Sequence, residues 1–301
     1  MSITLEQIEK GANLIYTCLD SAIREKKGCC IGRNGSTELT TLFMYETQRI
    51  CDSQMAKNLE RYSGIFPATP EILRTWIDSY KKTLQTVSDE PFVTGWFQGL
   101  APFEQILLKQ LCPNAKPIPL RCLEPYYVAP EKRWTVLLAE KRVAVVSSFA
   151  KSIQAQCKRG KEIWGEHFET LLPSTTTWIP IQTGFPPEIA RGRLEWSEGC
   201  TTWKEALDWL EQEVLKQNVD VCLIGCGALG MMLAARLKKQ GIACIVMGGA
   251  IQVLFGIKGQ RWQHHSIIAN FWNNAWVWPS EEETPRASGK IEGGCYWNPS
   301  T

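Results

Sequence analysis

The sequence is poor in histidine and has no closely spaced cysteine pair of the Cys-x-x-Cys type. Its 301 residues include 12 cysteines but only three histidines, His167, His264 and His265. Structural zinc sites need such closely spaced ligands, so none is predicted. The cysteine pattern is typical of free thiols buried in a reducing compartment. No histidine stands near a cysteine in a pattern that predicts a nucleophilic pair.

The sequence also lacks long apolar runs, a signal segment and an excess of one charge. The longest uncharged stretches, residues 221–235 and 241–257, are interrupted by glycine and fall short of the roughly 18 residues of a membrane span. The N-terminal residues do not follow the signal-peptide pattern, which favours a cytoplasmic protein. Lys and Arg total 33 against 31 Asp and Glu, so a nucleic-acid-binding surface is not expected.

What the sequence does have is an average globular composition and an unusual number of tryptophans. Hydrophobic residues make up 44% and charged residues 21%, which excludes intrinsic disorder as the main state. We predict one domain over residues 1–301, with a core at 1–262 and an irregular tail at 263–301 packed on it. Of the 13 tryptophans, five crowd near the C-terminal end: Trp262, Trp272, Trp276, Trp278 and Trp297. They indicate ordinary packing, with an aromatic platform for a sugar ring as the alternative. The run Glu281–Glu283 is typical of solvated charge.

Short apolar segments alternate with amphipathic helical patterns along the chain. Strands are predicted at residues 29–31, 91–96, 121–123, 143–148, 177–182, 219–224 and 242–247. Helices are predicted at residues 4–26, from 39 onward, at 70–84 and 103–111, from 149 onward, and at 203–217 and 230–239. This alternation predicts an α/β fold of Rossmann-like type, with a mostly parallel sheet and helices on both faces.

A glycine-rich turn follows the strand predicted at 219–224 and opens the next helix. Its glycines are Gly225, Gly227 and Gly230, in the spacing of a dinucleotide-binding fingerprint. Such a turn lets the backbone approach a diphosphate at a helix N-terminus. The next strand ends in Gly248 and Gly249, where an acidic residue would hold an adenosine ribose. NAD is therefore not expected, whereas another diphosphate remains possible, and tight packing is the alternative.

Three further strand ends carry polar side chains that fit an anionic ligand. The first is the turn from Arg33 through Gly35, Ser36 and Thr37 to Glu38, where arginine grips phosphate and a carboxylate binds metal or a proton. Ser147 and Ser148 stand at the end of another strand. The last group lies after residue 247 and comprises Gly248, Gly249, Gln252, Lys258 and Arg261. Helix capping and solvated charges are the alternatives. Because strand ends of a parallel sheet share one edge, we expect these groups to meet in one cleft.

In this order the motifs resemble those of the GT-D fold glycosyltransferases, in a branch associated with polysaccharide biosynthesis. The resemblance covers roughly residues 28–297. It is carried by Arg-x-Gly-x-x-Glu at 33–38, by Ser-Ser-Phe-Ala-x-Ser-Ile at 147–153, by the segment 219–230, by Gly-Gly-Ala-Ile-Gln-Val-Leu-Phe-Gly-Ile-Lys-Gly-Gln-Arg-Trp at 248–262 and by Glu-Gly-Gly-Cys-Tyr-Trp at 292–297.

The resemblance implies transfer of a sugar from a nucleoside-diphosphate sugar to an acceptor hydroxyl, with Arg33 and Glu38 as catalytic residues. The family carries Asp-x-Glu, which helps to hold a divalent metal, Mn²⁺ or Mg²⁺. Ser36 stands at the position of that Asp and Thr37 at that of a glycine. A metal would therefore depend on Glu38, or Glu38 would serve as the acceptor's base while Lys258 and Arg261 neutralise the diphosphate. A non-catalytic sugar- or nucleotide-binding protein and an NAD(P)-dependent oxidoreductase are the alternatives.

Overall fold

The computed structural model describes residues 3–197 and 199–299 and contains one parallel sheet of seven strands. The strands are β1 Cys29–Arg33, β2 Pro91–Val93, β3 Lys116–Ile118, β4 Arg142–Ser147, β5 Thr177–Gln182, β6 Val221–Gly225 and β7 Ala243–Val246. Their order across the sheet is β3-β2-β1-β7-β6-β4-β5, and every neighbouring pair is parallel. The predicted α/β fold with a parallel sheet is therefore confirmed.

Helices cover both faces of this sheet. They are α1 Leu5–Arg24, α2 Ser36–Gln48, α3 Ser53–Ser63, α4 Pro70–Leu84, α5 Ala101–Leu111, α6 Leu120–Leu123, α7 Ala150–Gln156, α8 Gly160–Trp164, α9 Phe168–Leu171, α10 Pro187–Ala190, α11 Trp203–Leu215, α12 Gly230–Lys239, α13 Ala250–Leu254 and α14 Ile268–Phe271. Among the helices of the described residues, none is long and apolar enough to cross a bilayer.

The alternation of side chains along each strand divides the core between the two faces. In β4, Val143 and Val145 pack with α1 and α8, whereas Ala144 and Val146 pack with α4, α11 and α12. All four side chains are fully buried. An uninterrupted apolar strand is what a parallel sheet covered on both faces requires. The cysteines form no disulfide, as predicted, but only half of them are buried.

The order of the strands places a crevice between β4 and β6. From β4 the chain passes outward to the edge strand β5, whereas from β6 it passes inward to β7. The connections of two neighbouring strands thus leave in opposite directions, which is the arrangement that opens a ligand crevice at the carboxyl ends of such strands. Both α11 and α12 lie on one face and contact each other, while α7 packs against β5 on the opposite face.

Two sequence predictions about local structure were wrong. Residues 121–123 form part of α6 instead of a strand, and the strand lies earlier, at β3. Pro117 and Pro119 hid this strand, because prolines in strands are tolerated only at an edge such as this one. The helix predicted from residue 39 begins at Ser36, because Gly35 adopts the extended conformation of an N-cap residue.

The tail at 263–299 contains one short α-helix and 3₁₀ turns, and it packs on the sheet's covering helices. Trp276 and Trp297 are buried. The Gln156 amide donates to the Ala275 carbonyl at 2.9 Å, and Trp297 Nε1 donates to the Glu283 carbonyl at 2.8 Å. Solvated charge was the wrong prediction for Glu283, whose buried carboxylate accepts from the Ser152 backbone N–H at 2.8 Å. That contact ties the tail to the first turn of α7, where a carboxylate is favoured.

Candidate functional site

A cleft of about 440 Å³ lies at the carboxyl edge of the sheet, within the size range of small-molecule sites. Its walls come from the ends of β1, β4, β5, β6 and β7, from the C-terminal end of α3, from residues 120–127 and from the tail at 291–297. Thirteen of the predicted site residues line it: Arg33, Gly35, Ser36, Thr37, Glu38, Ser147, Ser148, Gly225, Gly227, Gly248, Gly249, Gln252 and Arg261. These residues come from separate strand ends and lie in one cleft, as expected. The role of each residue in binding or catalysis remains a prediction.

Two predicted donor-binding residues, Gly230 and Lys258, do not line the cleft. A Cβ at Gly230 would contact Val246 and Ile224 at 3.3 and 3.4 Å, so this position serves the close packing of α12 on the sheet. The ammonium of Lys258 lies over the ring of Trp272, 5.5 Å from its centroid. Its backbone N–H donates to the Val277 carbonyl at 2.7 Å, which directs this loop towards the tail and away from the cleft.

The glycines of the turn after β6 are required by close backbone contacts. Gly227 has φ +59°, and a Cβ there would collide with the Ser63 carbonyl oxygen at 2.6 Å. A Cβ at Gly225 would lie 2.8 Å from the Gly248 carbonyl oxygen. Tight packing therefore accounts for the spacing of these glycines, although Gly225 and Gly227 also border the cleft. The pattern by itself is no argument for a dinucleotide.

Arg33, at the end of β1, points an uncommitted guanidinium into the cleft. It stacks over Trp96 at 4.9 Å from the ring centroid and makes no hydrogen bond or ion pair with any residue that the structure describes. Gly248, with φ +59°, makes room for it, since a Cβ there would collide with the Arg33 guanidinium. A guanidinium with free N–H donors is a ready partner for phosphate.

The residue after Arg33 fixes this turn through a buried hydrogen-bond network. The Asn34 amide donates to Glu104 at 2.8 Å and accepts from the Tyr80 hydroxyl at 3.1 Å. Its backbone carbonyl accepts from Trp96 Nε1 at 2.9 Å, and Trp96 in turn supports the Arg33 guanidinium. A fully satisfied buried network of this kind is rigid. The direction of the Arg33 side chain is therefore set by the fold before any ligand binds.

Glu38 is buried in the first turn of α2, where its carboxyl turns back on its own helix. Burial raises the pKa of this carboxyl, while its own backbone N–H, the Ser63 hydroxyl and Arg33 favour the charged form. A Cβ at Gly35 would collide with the same carboxyl, so Gly35 is needed to admit it. A carboxylate at a helix N-terminus stabilises the helix. Glu38 is thus a first-turn acid that favours the helix dipole, which was part of the alternative, whereas the N-cap is Gly35 and not Ser36 or Thr37.

The residues around Glu38 do not fit a divalent cation. Over the residues that the structure describes, no group of three or more His, Cys, Asp and Glu side chains is arranged to hold a metal. Ser36 supplies no carboxylate, and that of Glu38 already serves the N-terminus of α2. Mn²⁺ or Mg²⁺ would need several oxygen ligands in a defined geometry.

Glu124 is a cleft residue that the sequence analysis missed. It follows α6, and burial raises the pKa of its carboxyl to about 7, although Arg33, Arg121 and Arg261 favour its charged form. No motif marks this position, and the sequence pattern wrongly predicts a strand just before it. Its only signal was its place shortly after β3, whose carboxyl end lies at the same edge as the other strand ends.

The turn Gln260–Trp262 contributes a second cation to the cleft, and the tail contributes aromatic rings. The Arg261 guanidinium stacks over Tyr296 at 4.7 Å from the ring centroid and lies 3.5 Å from the Glu292 carboxylate. Burial raises the pKa of Tyr296 to about 12. His265 accepts from the backbone N–H groups of Ile267 and Ile268 through Nδ1, both at 3.2 Å. Its ring is thereby held neutral with the proton on Nε2, and burial lowers its pKa.

Gln252 has a side-chain acceptor without a partner among the described residues, whereas Ser147, at the end of β4, forms a hydrogen bond within its own turn. The Gln252 amide nitrogen donates to the Lys258 and Tyr296 carbonyls, both at 2.7 Å. Its buried Oε1 has no partner among the described residues, and an unpaired buried acceptor is costly unless a ligand satisfies it. Ser147 Oγ accepts from the Phe149 backbone N–H at 3.3 Å, which is the local capping alternative.

Comparison with known proteins gives one weak structural likeness. A solved structure of a domain of unknown function, DUF1792, is similar to this chain with a TM-score of 0.42 and 12% sequence identity, over 81% of this chain and 82% of the other. No model of a protein family matches the sequence, and no curated protein matches it. What is known of the site therefore comes from its own geometry.

Proposed function

We propose that this protein is a glycosyltransferase, which moves a sugar from a nucleoside-diphosphate sugar to an acceptor hydroxyl in glycan or polysaccharide synthesis. The observation that carries the proposal is the uncommitted guanidinium of Arg33, held rigidly at the end of a central strand. It shares its cleft with the buried carboxyl of Glu38 and the partly buried one of Glu124, whose pKa values are raised by desolvation. An anion clamp beside a proton acceptor is what glycosyl transfer requires.

The arginines of the cleft would stabilise the departing diphosphate. As the bond between the anomeric carbon and the donor phosphate breaks, negative charge grows on the diphosphate oxygens. Arg33 and Arg261 both line the cleft; Arg33 makes no ion pair with a described residue, and Arg261 pairs with Glu292 at 3.5 Å. Guanidinium groups bind phosphate oxygens with two parallel N–H donors. Preorganised donors of this kind, aimed at the charge that develops, lower the barrier to transfer.

The remaining wall suits a sugar ring and a nucleobase. Aromatic rings of Trp96, Trp262 and Tyr296 line the cleft, and aromatic faces pack against planar and sugar rings. The free Oε1 of Gln252 would accept a hydrogen bond from a sugar hydroxyl. Since the residues present do not fit a divalent cation, no step of this mechanism passes through a metal. Glu38 acts as a positioning residue, because its carboxyl lies in the first turn of α2 and interacts with its own backbone N–H, Arg33 and the Ser63 hydroxyl.

One observation favours a second candidate, a binding protein of the same fold without turnover. The carboxyl of Glu38 is committed to its own helix, and Ser36 offers no second carboxylate. Such a protein would keep the nucleotide-sugar cleft and lack chemistry. The oxidoreductase alternative has less support, because β7 is followed by Gly248 and Gly249 and the glycines after β6 are explained by packing.

The proposal is tested by the thermal stability of the purified protein with UDP-, GDP-, dTDP- and CMP-sugars, NAD⁺ and NADP⁺, each with and without Mn²⁺. A ligand that binds the native state raises the unfolding midpoint. We expect one nucleoside-diphosphate sugar to raise it selectively, the Arg33→Ala variant to lose this shift, and Arg74→Ala, at an exposed position on α4, to keep it.

Other outcomes decide between the alternatives. A midpoint shift only with NAD⁺ or NADP⁺ would contradict the proposal and favour the oxidoreductase. A shift of equal size in wild type and Arg33→Ala would remove the central observation. Where a nucleotide sugar binds, release of nucleoside diphosphate in the presence of hydroxyl acceptors measures turnover. Binding without any such release would identify the non-catalytic protein.

A further inference from the structure

We propose that Glu124 is the general base that takes the proton from the acceptor hydroxyl, an inference that rests on the proposed glycosyl transfer. The sequence pattern pointed to Glu38 for this role. The two carboxyls share one cleft but differ in their surroundings. The Glu38 carboxyl is buried in the first turn of α2, where its own backbone N–H, Arg33 and the Ser63 hydroxyl favour its charged form. Glu124 lies in an irregular segment outside any α-helix N-terminus, where Arg33, Arg121, the Tyr126 hydroxyl and Arg261 favour its charged form.

Glu124 is placed where it can reach both a donor and an acceptor. It lies between α6 and the 3₁₀ turn Pro125–Tyr127, in the segment after β3. The cleft brings it near Arg33, whose positive charge acts directly on its carboxyl. Leu120 and Trp96, which line the same part of the cleft, also border a smaller groove of about 230 Å³ at the edge of the sheet. An acceptor entering along this edge would meet Glu124 beside the phosphate-binding arginine.

The charges around Glu124 suit a base that works near neutral pH. The groups that interact with its charge are Arg33 from β1, Cys122 and Arg121 from α6, Arg261 from the turn Gln260–Trp262, and Tyr126 and Tyr127 from the adjoining turn. Burial raises the pKa of Glu124 to about 7, and the three arginines keep it from rising further. A base whose pKa lies close to the working pH is the most effective in proton transfer.

In the step that we infer, the acceptor oxygen attacks the anomeric carbon of the donor sugar. The acceptor's O–H bond breaks, its proton passes to the Glu124 carboxylate, and its electron pair forms the new glycosidic bond. The bond between the anomeric carbon and the diphosphate oxygen breaks in the same step. Its electron pair leaves with the nucleoside diphosphate, whose charge Arg33 neutralises. Glu124 then returns its proton to solvent.

The test compares Glu124→Gln with wild type, with the exposed Glu131→Gln as a control for loss of a glutamate charge in the same segment. The donor is the nucleotide sugar that stabilises the wild type. We expect Glu124→Gln to keep the donor-induced thermal shift and to lower kcat for transfer about 100-fold or more. Glu131→Gln should match the wild type in both measurements.

The pH dependence of kcat separates Glu124 from Glu38. In wild type, kcat should rise with pH through about 7, the pKa of Glu124, and this rise should be absent from the residual activity of Glu124→Gln and present in Glu38→Gln. If Glu124→Gln kept the wild-type kcat, the role of Glu124 would be overturned while the proposed function would stand. The same holds if the rise of kcat with pH were lost in Glu38→Gln but kept in Glu124→Gln. If Glu124→Gln does not fold, Glu124→Asp takes its place. We expect Glu124→Asp to keep the rise of kcat with pH and to have a lower kcat than wild type. An unchanged kcat in Glu124→Asp would contradict the role of Glu124. A wild type that binds no nucleotide sugar would instead overturn the proposed function itself.

Discussion

At the scale of single residues, the cleft depends on which charged groups the fold leaves without partners. Arg33 has an aromatic ring beneath it and makes no ion pair with a described residue, whereas Arg236 pairs with Asp208 and with Glu211, the latter at 3.1 Å. An unpaired guanidinium in a half-buried position costs desolvation energy, which a bound anion recovers. The desolvation of the Arg33 guanidinium is therefore best compensated when an anionic ligand is bound in the cleft.

The residue-scale prediction concerns the geometry of this guanidinium. Arg33→Lys keeps the positive charge but loses the planar pair of N–H donors and the stacking on Trp96. We expect donor affinity to fall about ten-fold, or about 1.4 kcal/mol, measured by titration of the thermal shift or by calorimetry. Arg74→Lys, at an exposed position, should leave affinity unchanged. Equal affinity in Arg33→Lys and wild type would show that only the charge of Arg33 contributes.

At the scale of elements, the site depends on how closely the loops after the strands approach one another. The turn after β6 packs against the end of α3, and it also contacts the loop after β7. Glycines allow both contacts, because no side chain separates the backbones. These glycines resemble a dinucleotide fingerprint in spacing, but each has a contact that a methyl group would break.

Gly227→Ala tests this interpretation of the turn. Its φ of +59° is unfavourable for alanine, and its Cβ would collide with the Ser63 carbonyl oxygen. We expect the free energy of unfolding to fall by about 2 kcal/mol or more, measured by urea denaturation. Gly192→Ala is the matched control, since Gly192 also has a positive φ, of +84°, but a Cβ added there would have no neighbouring atom within 4 Å. It should cost about 1 kcal/mol. Equal costs for the two variants would contradict the packing argument.

At the scale of the whole molecule, burial of carboxyls in the cleft links stability to pH. The pKa of Glu124 is raised from 4.5 to about 7 in the folded protein. Between these values the folded state holds a proton that the unfolded chain has released. The contribution of this group to stability is therefore most favourable at low pH and is lost as pH rises through the window. Burial also raises the pKa values of Glu38 and Glu104, which act in the same direction, so only a difference between variants isolates Glu124.

The whole-molecule prediction follows from that difference. Relative to wild type, Glu124→Gln should gain stability as pH rises from about 4.5 to about 7, and the gain should level off above it. Parallel urea titrations of the two proteins at several pH values would measure it. A constant difference across this range would mean that the Glu124 carboxyl titrates normally in the folded state.

Much of the fold was predictable because its causes are local. Apolar strands such as β4 and β6 alternate with amphipathic helices such as α11, and that pattern predicts a parallel sheet without any knowledge of contacts. Where a local rule was weak the prediction failed, as at β3, whose Pro117 is allowed only because the strand lies at an edge. Glu283 failed for a different reason, since its partner Ser152 lies far away in the chain.

The site was predictable in position and less so in function. A parallel sheet brings all its strand ends to one edge, so the sequence by itself determined that Arg33, Ser147, Gly225 and Gly248 would meet there. Only the tertiary structure decided which charged side chains are available to bind a ligand or to take a proton. It committed Glu38 to a helix, turned Lys258 towards Trp272 and brought Glu124 beside Arg33. Burial and electrostatic surroundings arise from segments far apart in the chain, and no local pattern records them.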